Sequence, residues 1–334
     1  MTKLMISSSG LRGIVGEHLT PGVIEPFVRS YLKWLPKGKI IIGGDTRTSH
    51  DALIQLVASI CQLCGRDVVS IGKVPTPTVQ QMVRKYKAAG GFAITASHNP
   101  VIWNGIKIID SSGSFLEKGA FDEFYQLFEQ QSWVPYSKWD NQGSRVVIGD
   151  ALRSHVDVIS NILPIEKIKP LKVLIDVNHG AGHQADVELF NVLGIDVDFL
   201  FDGADGEFSH PPEPVTENLT ELCHRMAKGG YDIGFAQDPD ADRLVIVDEN
   251  GRFIGEDYSL AFSMDYYLSV VNEAQPSIVV NLSTSKVIEF IAAKYNAELF
   301  QTRIGEPNVT AKMKAISATI GGEGNGGIIL PSVG

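Results

Sequence analysis

Three times in this chain a strand-like apolar run ends in a small polar loop and is answered by a second strand-like run, and no other feature restricts the fold as tightly. In the first copy, residues 39–47 (KIIIGGDTR) read as a buried strand ending in a Gly-Asp turn, and 67–72 (DVVSIG) as the next strand. Residues 92–94 then lead into the loop Thr95-Ala96-Ser97-His98-Asn99-Pro100, and 106–109 lead out of it. The second copy sets KVLIDVNHG (172–180), DVDFLF (196–201) and the loop-bearing stretch 231–251 in the same order. The third begins at SIVVNLSTS, passes through 297–305 and reaches SATIGGEGNGGIIL (317–330). Units this long exceed the ~20 to 50 residues of a solenoid repeat, so they read as duplicated domains.

Between the strands lie helical patterns: 21–34 with proline at the first helical position, an apolar stretch carrying Cys61 and Cys64 and closed by Gly65, and 76–86. Strand, helix, strand is an α/β signature, and the expected fold is three tandem similar α/β domains with mixed sheets flanked by helices. Boundaries fall near Gly149, before the helix-like ALRSHVDVISNIL, and near Gly251, after a Glu-Asn-Gly turn, giving domains 1–149, 150–251 and 252–334. The Cys-x-x-Cys spacing sits inside an apolar helix, which favours buried thiols over a redox pair.

Each loop offers different chemistry. Ser97 is a nucleophile candidate if a base takes its proton or if it already carries phosphate, with His98 and Lys107 nearby for proton work; the plain alternative is a Ser/Asn/Pro turn. In the second loop Asp238, Asp240 and Asp242 alternate, a set that suits a hard cation such as Mg²⁺ or Mn²⁺. An EF-hand would place Glu249 at its twelfth position, but Arg243 stands where that loop needs glycine, Pro239 stiffens its start, and both flanks read as strands. The third loop, residues 321–327, lets a backbone approach a ligand closely and offers Glu323 and Asn325 as a hydroxyl-reading pair, or else it is a bare glycine turn.

Charge narrows the partners. With 29 Lys+Arg against 39 Asp+Glu the net charge is −10, so no diffuse basic field exists to hold a nucleic acid, and a small anionic substrate needs local cations. The first residues lack the apolar core of a signal peptide and no run approaches the roughly 18 apolar residues of a membrane span, which reads as cytoplasmic with no membrane partner. Neither a Walker loop nor a strand-linked Gly-x-Gly-x-x-Gly occurs, which argues against a bound nucleotide.

TASHNP followed by NGIKI, then DPDADR, then GEGNGG, with an early SGLRG and the stretch HPPEPVTENL, resembles the α-D-phosphohexomutase family over essentially the whole chain. The resemblance implies a hexose phosphate mutase that moves phosphate between C1 and C6 through a phosphoserine and a sugar bisphosphate. Under it Ser97 carries the phosphate, and Asp238, Asp240 and Asp242, with a phosphoserine oxygen, hold Mg²⁺. Glu323 and Asn325 read sugar hydroxyls, Arg12 steadies the phosphoserine region, Arg243 adds charge toward the substrate, and His98 and Lys107 move protons. A catalytic hexose bisphosphate is the implied activator and a small hexose phosphate the partner.

Many relatives have a third loop reading GExSGH and an opening FGTxGIRG; here Asn325 and Gly327 stand in the first and SSSGLRG in the second. Those departures point toward phosphoglucosamine mutase, with phosphomannomutase or phosphoglucomutase as the alternative, and with a metal-dependent sugar phosphatase or a non-catalytic sugar-phosphate binding module as rivals of another kind. The family also carries a C-terminal phosphate-binding domain. The chain is therefore expected to have an incomplete third domain, with one sheet face left bare for want of a closing helix, and no fourth domain.

Overall fold

Three sheets share one strand order, and that order delivers three loops to one place. The computed structural model describes residues 4–162, 168–331 and 333. The expectations that touch residues 1–3, Leu163, Ser332 and Gly334 fall outside that set. Numbered in chain order, the first sheet runs β1 (Met5–Ser7), β2 (Gly10–Ile14), β6 (Trp103–Ile109), β5 (Gly90–Ile94), β3 (Ile40–Gly44), β4 (Val68–Lys73) and β7 (Arg145–Val147). The second runs β11 (Leu244–Val247), β10 (Ile233–Gln237), β8 (Lys172–Asp176) and β9 (Asp196–Leu200). The third, read from the matching edge, runs β15 (Gly327–Ile329), β14 (Ile320–Glu323), β12 (Ser277–Asn281) and β13 (Glu298–Thr302).

In every sheet the loop-bearing strand (β5, β10, β14) lies parallel to the first strand of its copy (β3, β8, β12). Its return strand (β6, β11, β15) is antiparallel to it. The sheets are thus mixed, as expected. The central strands are apolar on both faces because both faces are covered; all residues of β3 and β5 are buried.

Helices α1 (Pro21–Trp34), α2 (His50–Leu63) and α4 (Lys118–Glu129) cover one face of the first sheet, and α3 (Thr76–Lys85) covers the other. In the second sheet α6 (Gly182–Leu193) and α7 (Thr220–Ala227) take opposite faces. Between these two units, α5 (Ala151–Ser160) packs against both α3 and α6. In the third, α8 (Glu256–Val270) and α9 (Val287–Lys294) pack on one face and α10 (Glu306–Ile316) on the other. The expectation of a bare face therefore fails. The covering helix α8 precedes the strands of its copy, where the comparison between copies looked for one after them.

Cys61 on α2 and Cys64 at its C-terminal cap are free, buried thiols, and burial pushes the Cys61 thiol well above its ordinary range, so the pair is inert core. Among the described residues no helix is long and apolar enough to cross a membrane.

The first core centres on Phe124, fully buried, which meets Phe27 edge-on at 5.2 Å and Tyr31 at 5.4 Å between ring centroids. Phe124→Ala should cost about 3–5 kcal/mol of unfolding free energy, measured by denaturant titration. A loss under about 1 kcal/mol would mean that α4 is not part of the core it covers.

Candidate active site

Ser97 owes its position to a buried arginine. Arg47, just past the end of β3, pairs with Asp45 at 3.1 Å, and both side chains are fully buried. Its remaining donors reach backbone carbonyls of the serine loop: Nη1 donates to Pro100 at 2.8 Å and Trp103 at 2.9 Å, and Nη2 donates to Ser97 at 2.6 Å and Asn99 at 2.7 Å. Asp45 also accepts the Thr95 hydroxyl at 2.6 Å, and Thr95 Oγ1 in turn accepts the Ser97 N–H at 2.9 Å. The loop is thereby held with Ser97 at φ +50°, in the left-handed region that a non-glycine residue enters only when its surroundings demand it.

So held, the Ser97 hydroxyl donates across the domain boundary to Asp238 Oδ2 at 2.6 Å, with His98 Nδ1 3.3 Å away. Asp238, Asp240 and Asp242 follow β10, and the hairpin of β10 and β11 around them rules out the helix-flanked EF-hand. Lys107 on β6 enters the aspartate cluster, its Nζ 2.6 Å from both Asp240 Oδ2 and Asp242 Oδ2. Thr76, at the start of α3, donates to Asp240 Oδ2 at 2.6 Å.

The electrostatics follow from that crowding. Burial, then repulsion from Asp242 and Asp240, pushes the Asp238 carboxyl well above its usual range. Burial would raise Asp240 too, but the Lys107 ammonium and the Thr76 hydroxyl outweigh it and hold Asp240 low. Lys107 is the mirror case: burial favours the neutral amine, Asp240 and Asp242 prevail, and it stays protonated. It can give a proton or steady an anion here, and it has no lone pair with which to act as a base. His98 is different. Burial, reinforced by Arg243, lowers it to about 4, so it is neutral near pH 7 and able to accept.

One ligand-bearing oxygen from each of the three aspartates lies within 4.8 Å of the others, and Asp240 Oδ1 is buried with no protein partner. Three hard oxygens, an unpartnered carboxylate oxygen on one of the same side chains, and mutual repulsion that a cation would relieve suit Mg²⁺.

A cavity of about 580 Å³ opens beside this cluster, and it gathers Arg12, Ser97, Lys107, Arg243, Glu323 and Asn325. Arg12 on β2 reaches Asn99 Oδ1 at 3.3 Å, over the serine loop. The Arg243 guanidinium would be depressed by burial, but the three aspartates and Glu323 keep it charged. Glu323 is fixed through Oε1, which accepts from Asn281 Nδ2 at 2.6 Å and the Gly305 N–H at 2.9 Å. Asn325 Oδ1 accepts the Gly327 N–H at 3.2 Å. Of the candidate site residues, Arg12, Ser97, Lys107, Asp242, Arg243, Glu323 and Asn325 line this cavity; Asp238, Asp240 and His98 do not, and touch it through Ser97 and Lys107.

Sequence reasoning missed three groups. Asp45 and Arg47 stood within KIIIGGDTR, yet their work is done some fifty residues away, Arg47 on carbonyls and Asp45 on the Thr95 hydroxyl. Glu306, which lines the cavity from the first turn of α10, follows the last residue assigned to its strand. Burial, then Asp242, raises its carboxyl to about 8.

Comparison with known proteins matches the chain to three consecutive family descriptions: phosphoglucomutase/phosphomannomutase alpha/beta/alpha domain I over residues 3–135, domain II over 153–251 and domain III over 256–333. A phosphoglucomutase/phosphomannomutase of Thermococcus kodakarensis is 33% identical over 98% of this chain and 73% of its own length. A probable phosphoglucosamine mutase of Methanopyrus kandleri is 34% identical over 98% of this chain and 71% of its own. Among solved structures, a putative phosphomannomutase from Thermus thermophilus superposes with a TM-score of 0.87 at 22% identity, covering 99% of this chain and 76% of that one, a likeness of fold.

Replacing Arg47 tests the mooring of the loop. Arg47→Gln leaves Asp45 buried without its cation and should cost about 3–5 kcal/mol of stability, with faster hydrogen exchange at the Ser97 amide. An unchanged exchange rate there would mean that the loop holds its shape without the guanidinium.

Proposed function

The chain belongs to the α-D-phosphohexomutase family, whose members are isomerases that act as intramolecular phosphotransferases, and we propose that it transfers phosphate between C1 and C6 of a hexose through Ser97, with glucosamine phosphate as the substrate. The observation that carries this reading is the 2.6 Å contact from the Ser97 hydroxyl to Asp238, beside a cavity that Glu323 and Asn325 also line. A nucleophile, a cation-ready carboxylate cluster and a hydroxyl-reading wall share one space.

In the forward half, an oxygen of the hexose monophosphate attacks the phosphorus of phosphoserine 97. The new O–P bond forms as the Oγ–P bond breaks, the hydroxyl proton passes to a base, and a hexose bisphosphate results. Ser97 Oγ takes up a proton as it leaves. The sugar then turns, and Oγ gives that proton to a base and bonds to the other phosphorus, while the bond from that phosphorus to the sugar oxygen breaks and the sugar oxygen is protonated. Neutral His98, 3.3 Å from Oγ, is placed to accept a proton, and protonated Lys107 to return one. Arg12 and Arg243 supply fixed positive charge along the cavity, which is most of what phosphoryl transfer requires of a protein. Asp238, Asp240 and Asp242 would hold Mg²⁺, which when bound supplies charge neutralisation at the phosphoryl oxygens. Glu323 and Asn325 orient the ring through its hydroxyls. A trace of hexose bisphosphate serves as activator by phosphorylating Ser97.

The name of the Methanopyrus relative supports the amino sugar and that of the Thermococcus relative the glucose and mannose phosphates. A coupled assay of the 1- and 6-phosphates of glucosamine, glucose and mannose, primed with the matching bisphosphate, decides among them. A phosphatase would instead release inorganic phosphate in step with substrate loss.

Ser97→Ala should lower mutase turnover by at least about 10³-fold and abolish the phosphorylated form in intact-mass spectra. Retained turnover would remove Ser97 from its role.

Asp240→Asn should weaken Mg²⁺ binding, read as the stability gained on adding the ion. Wild type should gain about 2.7 kcal/mol at a hundred times its Kd, and the variant clearly less at the same concentration. Equal gains would mean that the ion binds elsewhere.

A further inference from the structure

Among the described residues, Glu306 is the one acidic group in the cavity wall that nothing in the protein answers. It opens α10 after Gly305, whose φ of +115° turns the backbone so that its N–H meets Glu323 while the Glu306 side chain lines the cavity. Glu323 has two donors on Oε1, and Asp242 has the Lys107 ammonium. Glu306 has neither a hydrogen bond nor an ion pair within that described set. The cation that favours its ionised form, Lys107, is already shared between Asp240 and Asp242. Burial, then Asp242, Glu323 and Asp240, work against its ionised form, with Lys107 alone opposing them.

This part of the wall therefore holds one carboxyl more than a neutral sugar ring can use. One carboxylate and one amide, Glu323 and Asn325, already serve to read hydroxyls. A phosphate would be repelled here and is drawn instead toward Arg12, Arg243 and Lys107. What a second, unanswered carboxyl gains from most is a cation on the ligand. The cation that a hexose phosphate can bring is an ammonium on its ring.

We propose that Glu306 is a specificity-determining residue, pairing with the ring ammonium of a 2-amino-2-deoxyhexose phosphate and so selecting it over a neutral hexose phosphate. The inference rests on the mutase reading of the cavity and goes beyond it by naming the group that distinguishes the sugars. An acetylated amine, being uncharged, gains nothing from Glu306.

The test is a ratio of affinities, in which the contribution of the shared phosphate cancels. Calorimetry at fixed Mg²⁺ gives Kd for glucosamine 6-phosphate, glucose 6-phosphate and N-acetylglucosamine 6-phosphate on the wild-type chain, on Glu306→Gln and on Glu306→Ala. Wild type should favour glucosamine 6-phosphate over the other two by about tenfold, the size of one charge-assisted hydrogen bond. Both variants should bring that preference to within about twofold, the loss falling on the amino sugar. If the preference persists in both variants, or if all three affinities fall by one common factor, Glu306 does not read the amine, and the mutase reading stands. If wild type binds none of the three sugars, that reading fails and this inference with it.

Discussion

The buried pair of Arg47 and Asp45 is the interaction on which the serine loop depends. Taking two charges out of water is costly, and an ion pair alone seldom recovers the cost. Here the guanidinium also satisfies four carbonyl oxygens that a tight loop has turned inward, and the carboxylate anchors Thr95 and, through it, the Ser97 amide. Without the arginine the Ser97 and Trp103 carbonyls would lose the buried donor that now satisfies them. The first sheet, by presenting Arg47 at the end of β3, sets the coordinates of a hydroxyl fifty residues later.

The second dependence runs between domains. Ser97, Lys107 and Thr76 come from the first unit and Asp238, Asp240 and Asp242 from the second, so the hydrogen bonds that build the site are also those that join the two. The join is reinforced where the segment around Gly206 crosses the start of the Arg47 loop. A Cβ at Gly206 would come within 2.3 Å of the Thr46 carbonyl, and Thr46 Oγ1 donates to the His179 carbonyl at 2.6 Å. Chemistry and domain packing draw on the same few residues.

Much of this was legible in the sequence, for a physical reason. Strands covered on both faces must be apolar throughout, so IIIGG, VLID and SIVVN announce themselves, and a polar interruption between two such runs is a loop by default. The three aspartates were legible because like charges at alternating positions imply something positive between them. Arg47 was not, because its partners are backbone atoms that any residue would supply, brought near only by the fold. Glu306 was hidden by its neighbours: a glutamate followed by proline at a helix start reads as an ordinary first turn. The edge strands β1 and β7 are three residues each, too short to show alternation. Helix α8 was passed over because Tyr258, Phe262 and Val270 lie exposed on the side away from its buried Leu260, Met264 and Leu268, which leaves little contrast between its faces.

The left-handed backbone at residue 97 decides which amino acid can carry the hydroxyl. Serine tolerates φ near +50° because its Cβ bears a single heavy substituent, whereas threonine, branched at that carbon, is a severe outlier there. The two side chains offer the same functional group, yet only one of them is open to drift at this position. The alphabet available to the loop is thus set by a torsion angle before any question of reactivity arises, and it is the arginine beneath the loop that sets the angle.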